Sequence, residues 1–365
     1  MPNNSSKPNK PNKTEKIKVL IVDDSAFNRQ TLKQILIAES DIEVVGVATN
    51  GMDAMGKVMR LKPDVITLDF EMPEMDGLTF LRWVMSESPT RVLMVSSYSD
   101  KNLVFKALEF GAMDFIVKPT SRASVELKNI ARDLIEKVRG VRAMNVNTMK
   151  KNLKKQEIKA EESKKEKAYS TDISVVAIGT STGGPAALQM ILTELPADMP
   201  CGIVISQHMP RGFTAPLADR LNGICSINVR EASHGDYVRS GEALICPGGY
   251  HMSFSSYGNE VKVTLEEAPE DDKYVPSVDH MFLSVNKEFP KKVVALILTG
   301  MGNDGMEGMK EIDASGGLTI AESEDTAIVF GMPKEAINAG AVKKVLPLDM
   351  MSSELRRTVL GERRR

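Results

Sequence analysis

The stretch Asp172-Ile173-Ser174-Val175-Val176-Ala177-Ile178-Gly179-Thr180-Ser181-Thr182-Gly183-Gly184-Pro185 decides how the second half of this chain folds. Val175 to Ile178 is an unbroken apolar run, the pattern of a strand buried on both faces. Pro185 falls in the first turn of a helix that the apolar spacing predicts over Ala186 to Leu195. Between them, Gly179-x-Ser181-x-Gly183 matches the nucleophile-elbow pattern in the strand–turn–helix context it needs. A serine raised on a tight turn needs neighbours without a Cβ, and the helix N-terminus behind it offers N–H groups to developing negative charge. The same residues also suit a glycine-rich turn that only packs a helix on a sheet or cradles a phosphate. No Lys-Ser/Thr follows the glycines and the G-x-G-x-x-G spacing is missing, so neither a Walker loop nor a dinucleotide fingerprint is present.

Outward from that stretch, 365 residues predict two domains, and 42% hydrophobic with 26% charged residues is ordinary for a globular chain. A net charge of −2 provides no basic field, which argues against nucleic acid as the main partner. No apolar run reaches the length of a membrane span, so no membrane insertion is expected, and Met1 to Lys16 is polar with no signal-peptide core. The three cysteines, Cys201, Cys225 and Cys246, lack metal-site or redox spacing and read as free thiols in a reducing compartment. A cytoplasmic location is expected.

Residues 1–16 carry almost nothing to bury and read as a disordered tail. From Ile17, strand-like runs at Ile17 to Val22, Glu43 to Ala48, Val65 to Leu68, Val92 to Val95 and Phe115 to Val117 alternate with helical stretches. Those helices fall at Ala26 to Glu39, Gly51 to Leu61, Leu78 to Met85, Lys101 to Phe110 and Arg122 to Val138, which implies a doubly wound parallel sheet. Ligands of such sheets bind beyond the carboxyl ends of the strands, and there stand Asp23, Asp24, Asp69, Ser96 and Lys118. Carboxylates within about 4 Å repel by roughly 4 kcal/mol per pair at an effective dielectric near 20. A hard cation such as Mg²⁺ relieves that repulsion, and the hydroxyl and ammonium then read as phosphoryl-binding groups around a carboxylate nucleophile. Helix capping would account for one or two of these acids, but not for the converging set.

Residues 17 to about 120 resemble a two-component response-regulator receiver domain. The resemblance rests on Val22-Asp23-Asp24-Ser25, Leu68-Asp69-Phe70-Glu71-Met72-Pro73-Glu74-Met75-Asp76-Gly77, Met94-Val95-Ser96-Ser97 and Val117-Lys118-Pro119. It implies that Asp69 is the phosphoacceptor, that Asp23, Asp24, Asp69 and the Glu71 carbonyl form the Mg²⁺ site, and that Ser96 and Lys118 contact the phosphoryl group. Phe115 matches the aromatic position such domains use as a switch.

Residues 140–170, rich in Lys and Glu, read as a charged linker whose lysines are a solvated face rather than a nucleic-acid patch. Beyond the Ser181 turn, the buried strand Gly202 to Gln207 ends at His208, and the strand Lys292 to Leu298 ends in Thr299-Gly300-Met301-Gly302-Asn303-Asp304-Gly305. Serine, histidine and aspartate can thus meet on one edge of a parallel sheet. Ser181 would attack an acyl carbon, His208 would take its proton and return it to the leaving group, and Asp304 would orient the imidazole. His234, His251 and His280 compete for the role of base, and Asp279 and Asp236 for that of acid. The backbone amides of Thr182 and of the Gly300-Met301-Gly302 loop suit an oxyanion, one such donor being worth on the order of 3 kcal/mol.

The chain order Ser, His, Asp departs from that of α/β-hydrolases. It fits another resemblance: residues 173 to about 348 are similar to the catalytic domain of bacterial chemotaxis protein-glutamate methylesterases. The matching stretches are Ile178-Gly179-Thr180-Ser181-Thr182-Gly183-Gly184, Ser206-Gln207-His208-Met209-Pro210 with Gly212-Phe213-Thr214, Pro276-Ser277-Val278-Asp279, Leu298-Thr299-Gly300-Met301-Gly302-Asn303-Asp304-Gly305 and Gly331-Met332-Pro333-Lys334-Glu335-Ala336-Ile337. Thr180 stands where Ala is expected before the nucleophile. The resemblance implies nucleophile, base and acid at Ser181, His208 and Asp304, oxyanion-binding backbone at Met301, and no cofactor in the esterase site. It further implies hydrolysis of glutamyl methyl esters on chemoreceptors with release of methanol, deamidation of receptor glutamines, and a chemotaxis histidine kinase as phosphodonor.

The expected fold is therefore α/β, with two doubly wound parallel-sheet domains. A flavodoxin-like (βα)5 receiver over 17–139 precedes a Rossmann-like methylesterase domain over 171–365. The unphosphorylated receiver is expected to pack over the Ser181 mouth. A DNA-binding output is disfavoured because residues 171–365 carry no basic recognition helix. A phosphorylation-gated interaction module with an inactive esterase-like domain stays as the alternative, which only an activity assay separates.

Overall fold

The computed structural model describes residues 16–97, 101–118, 124–143, 173–269 and 271–361. The expected tail up to residue 15, most of the linker and Arg363-Arg364-Arg365 lie outside these residues.

In the N-terminal domain, β1 (Ile17–Val22), β2 (Ile42–Ala48), β3 (Val65–Asp69), β4 (Arg91–Ser96) and β5 (Asp114–Val117) form one sheet in the order β2-β1-β3-β4-β5. Every pairing is parallel, as the alternation of strands and helices requires. The helices are α1 (Ala26–Ile37), α2 (Gly51–Leu61), α3 (Gly77–Glu87), α4 (Lys101–Phe110) and α5 (Ser124–Ala143). Ser25, Asn50 and Asp76 cap the first three, each side chain accepting an N–H of the first turn. Helix α5 runs past the expected end at Val138 and reaches the second domain.

The C-terminal domain holds a parallel sheet of β6 (Val175–Thr180), β7 (Gly202–Gln207), β8 (Asn228–Glu231), β9 (Glu242–Ile245), β12 (Val293–Ile297), β13 (Leu318–Glu322) and β14 (Lys344–Leu346). Their order is β14-β13-β12-β6-β7-β9-β8, so the chain leaves β6 towards β7 and later returns on its other side at β12. Between β9 and β12 runs an antiparallel hairpin, β10 (Tyr250–Tyr257) and β11 (Glu260–Glu267).

Strand β6 shows why its sequence is apolar throughout. Val176 and Ile178 pack into a core with Leu188 and Ile191 of α6 (Gly184–Leu192) and Met351 and Leu355 of α11 (Leu348–Leu360). Val175 and Ala177 face the opposite core, with Met281 and Phe282 of α8 (Val278–Glu288) and Met309 of α9 (Met306–Ala314). All four strand side chains are fully buried, each valine or isoleucine contributing roughly 1.5–3 kcal/mol. Two further helices, α7 (Thr214–Asn222) and α10 (Met332–Asn338), complete the two layers.

The domains touch through side chains. The Phe115 ring of β5 lies 4.7 Å from that of Phe213, just before α7. Val138 and Val141 of α5 share a cluster with Val329, with Met301 and Ile328 packed against it. Glu109 of α4 pairs with Arg220 of α7.

Candidate functional site

Strands β12, β6 and β7 are direct neighbours, and the loops at their carboxyl ends carry Asp304, Ser181 and His208. The elbow depends on its glycines. A Cβ on Gly179 would stand 2.2 Å from Val278 Cγ1, and Gly183 adopts φ +81, where a side chain is strained. Thr299 fastens the turn from the next strand: its carbonyl accepts from the Ser181 N–H at 3.0 Å, and its hydroxyl donates to the Thr182 carbonyl at 2.9 Å. Buried Gln207 ties nucleophile to base, its Nε2 donating to the Ser181 carbonyl at 2.9 Å and to that of His208 at 3.0 Å. Gln207 carries no chemistry of its own, so strand-end reasoning passes over it, although it directly precedes His208.

His208 Nε2 meets Asp304 Oδ2 at 2.8 Å. Asp304 is almost fully buried and also accepts from the N–H groups of Val278 (2.6 Å) and Asp279 (2.9 Å) and from the Ser277 hydroxyl (3.1 Å). It therefore sits on the N-terminus of α8, where the helix dipole favours negative charge. Burial pushes its carboxyl up, but the His208 hydrogen bond and charge and the two backbone donors outweigh this and hold it below the usual range. With Nε2–H committed to Asp304, Nδ1 of His208 is the nitrogen free to act as base. Ser181 and His208 line one cavity of about 280 Å³, together with the expected oxyanion residues Thr182 and Met301. No hydrogen bond joins Ser181 Oγ to His208 among the described residues, a contact that often forms only with substrate in place.

The rival acids and bases sit elsewhere. Asp236 pairs with Arg230 and accepts the Ser233 N–H, and His234 Nδ1 accepts the Leu265 N–H. Asp279 turns to the Gly308 N–H at 2.7 Å, its carboxyl pushed up to about 6 by burial and by Asp304. His251 bonds Asp272 at 2.8 Å and the Ser277 N–H at 3.0 Å, and its ring stacks on His280.

Receiver residues reach the same cavity. Arg132, Asp133, Glu136 and Lys137 of α5 line the Ser181 cavity, and the Arg132 guanidinium reaches the Asp272 carbonyl at 3.4 Å. The Thr182 hydroxyl donates to Asp114 of β5 at 2.5 Å.

In the receiver, carboxylate oxygens of Asp23, Asp24 and Asp69 lie within 4.8 Å of one another. Lys118 Nζ is 2.6 Å from Asp69 Oδ1, whereas Asp69 Oδ2 and Asp23 Oδ2 are buried without a partner. Burial, then the Asp69 charge, pushes Asp23 up to about 6, and burial also raises Asp69. Two orphaned buried oxygens beside a third carboxylate suit a hard divalent cation. Ser96 is fully buried at the end of the neighbouring strand β4, and Glu71 lines the cleft beside Asp24.

Comparison with known proteins agrees with this division. A family model described as CheB methylesterase matches residues 176–355, and one described as response regulator receiver domain matches residues 19–130. A Geobacter sulfurreducens protein named protein-glutamate methylesterase/protein-glutamine glutaminase 3 is 45% identical over 358 residues, covering 93% of this chain and 96% of that one. An Archaeoglobus fulgidus protein named protein-glutamate methylesterase/protein-glutamine glutaminase is 45% identical over 341 residues, covering 93% and 97%. The crystal structure of the Thermotoga maritima CheB methylesterase catalytic domain aligns with a TM-score of 0.49 at 39% identity, over 50% of this chain and 97% of that chain. At such identity over almost its full length, the chain belongs to the CheB methylesterase family, with a response regulator receiver domain ahead of the catalytic domain.

Proposed function

We propose that the chain is a phosphorylation-activated protein-glutamate methylesterase, with glutamine deamidation as a second use of the same site. The observation that carries this reading is the 2.8 Å pair of buried Asp304 with His208, which shares one cavity with a serine on a glycine-bounded turn. His208 Nδ1 removes the Ser181 proton as Oγ bonds to the glutamyl carbonyl carbon. Backbone N–H groups of Met301 and Thr182 hold the oxyanion. Collapse breaks the bond to methoxide, which leaves as methanol with the proton from His208. Water then adds to the acyl-enzyme as His208 takes its proton, and collapse breaks the acyl bond to Ser181 Oγ, which takes that proton back as the glutamate side chain is released. A glutamine substrate follows the same course with ammonia as leaving group.

Asp69 is the proposed phosphoacceptor. Mg²⁺ would be held by Asp23, Asp24, Asp69 and the Glu71 carbonyl, and would offset the charge of the transferred group. Lys118 pairs with Asp69 at 2.6 Å, which supports a role for it, with Ser96, in meeting the phosphoryl oxygens. Phosphorylation draws Lys118 and Ser96 towards the new charge and disturbs β5, whose Phe115 ring packs against Phe213. The α5 side chains that line the Ser181 cavity support an inhibitory role for the resting receiver. The phosphodonor is proposed to be a chemotaxis histidine kinase and the substrate the cytoplasmic helices of methyl-accepting receptors, so the chain works in the cytoplasm. Among the described residues no helix is long and apolar enough to cross a membrane. The test is methanol release from methylated receptor membranes, with and without Mg²⁺ and a small-molecule phosphodonor. Release that rises with the phosphodonor and is lost in Ser181→Ala supports the reading. No release under either condition favours the interaction module.

A further inference from the structure

A short segment that none of the acid–base roles uses lies across the catalytic base. Asp272 Oδ2 accepts from His251 Nε2 at 2.8 Å, and His251 Nδ1 accepts the Ser277 N–H at 3.0 Å. One nearly buried imidazole therefore staples both ends of the segment Asp272–Ser277, and it needs the Nε2–H tautomer to do so. A loop closed in this way loses little entropy when it presents a side chain from its middle.

That side chain is Tyr274. Its ring lies 5.2 Å from that of His208 with an interplanar angle of 8°, a stacked arrangement on the face of the imidazole. Its hydroxyl donates to Asn303 Oδ1 at 3.1 Å and accepts the Asn303 N–H at 3.4 Å. A Cβ on Gly302 would come within 2.1 Å of the Tyr274 oxygen, and Gly302 has φ +82, so the loop is shaped around the phenol. One residue thus touches both the ring of the base and the loop that carries Met301.

We infer that Tyr274 is a positioning residue for the esterase reaction, fixing the plane of the His208 ring against Asp304 and the conformation of the Gly300–Asn303 loop together. The inference rests on the assignment of Ser181, His208 and Asp304. Among the described residues the His208 ring has one hydrogen bond, to Asp304, and rotation about that contact would change where Nδ1 points; the stacked phenol blocks that rotation. The Asn303 contact sets where the Met301 N–H points. The two contacts act on the base and on the Met301 loop, so the positioning effect is read in kcat, whereas the place of Tyr274 in the lining of the Ser181 cavity is read in KM.

The experiment uses the full chain activated with Mg²⁺ and a small-molecule phosphodonor. Tyr274→Ala and Tyr274→Phe are compared with the parent in methanol release and in the rate at which an alkyl fluorophosphonate modifies Ser181. The expected result for Tyr274→Ala is a kcat lower by about 10²-fold, the effect of misplacing a reacting group by about 1 Å, with the fluorophosphonate rate falling in parallel. Tyr274→Phe restores the stack and recovers most of that loss, leaving the deficit of the missing Asn303 contact. Both variants should melt with the parent. With Ser181→Ala inactive, a Tyr274→Ala enzyme of normal kcat, a loss confined to KM, or a Tyr274→Phe variant as impaired as Tyr274→Ala overturns this inference alone. Activity retained in Ser181→Ala would overturn the site assignment and the inference with it.

Discussion

The Thr182 hydroxyl, one residue from the elbow serine, donates a hydrogen bond to the Asp114 carboxylate on the last strand of the receiver. The residue expected to help bind the oxyanion is thereby held by the regulatory domain through its side chain, at 2.5 Å. A hydrogen bond to a charged group contributes roughly 1.5–3 kcal/mol. Asp114→Ala should accordingly raise methanol release by the unphosphorylated chain by about tenfold and shrink the further gain from a phosphodonor. Unchanged basal release would show that this contact does not hold the resting state.

Asp304→Asn keeps the shape of the site but removes the charge that pairs with His208 and the preference for the Nε2–H tautomer. A loss of about 10³–10⁴-fold in kcat is expected, with KM little altered. Steady-state methanol release at saturating receptor checks this, and Ser181→Ala sets the floor.

Asp69→Asn removes the proposed phosphoacceptor and some of the charge repulsion around it. Stimulation by phosphodonor should vanish while basal release persists. Chelating divalent cations from the parent should do the same to stimulation alone. A parent still stimulated in excess chelator would remove the case for a cation at Asp23, Asp24 and Asp69.

Glu322, at the end of β13, is fully buried and accepts the Thr299 N–H at 2.8 Å. Burial pushes its carboxyl from 4.5 up to about 7. A raised folded-state value means its contribution to stability is fully present below pH 4.5 and lost as pH rises through about 7. The gap corresponds to a loss on the order of 3 kcal/mol by pH 8. Glu322→Gln keeps the acceptor without the charge, so its melting temperature should fall less than the parent's between pH 5 and 8. Parallel melting curves across that range would show that Glu322 ionises in the folded state without cost.

Much of this architecture is legible because a buried parallel strand announces itself and its carboxyl end locates chemistry. Val175 to Ile178, Gly202 to Gln207 and Lys292 to Leu298 are unbroken apolar runs, and the residues that follow them converge. Helix ends are less legible: the elbow helix begins at Gly184 and stops at Leu192, short of Leu195, where the N–H groups of Glu194 and Leu195 turn to the carbonyls three residues back. The hairpin of β10 and β11 is harder still, since Tyr-His-Met-Ser-Phe-Ser-Ser-Tyr buries only His251, Met252 and Phe254 and exposes its end. Gln207, Ser277, Thr299 and Tyr274 are beyond local pattern altogether. Their roles come from partners on other strands and loops, and no spacing in the sequence encodes a Tyr274–His208 stack. The interface of Phe115 with Phe213 is equally silent: Phe115 matches the switch position of receiver domains and Phe213 falls in a methylesterase stretch, but neither reading names the other as its partner.

That interface joins two parts of one polypeptide, which changes what sets its strength. A cover supplied by a separate protein would be diluted away or titrated as copy numbers drift. Here Phe115, Asp114 and α5 meet Phe213, Thr182 and the Ser181 cavity at an effective concentration fixed by the tether. Every molecule made brings its own cover at one-to-one stoichiometry. Under the proposed inhibition, the fraction open at rest is a constant of the sequence, and a cell that makes more of the chain scales its response without shifting its set point.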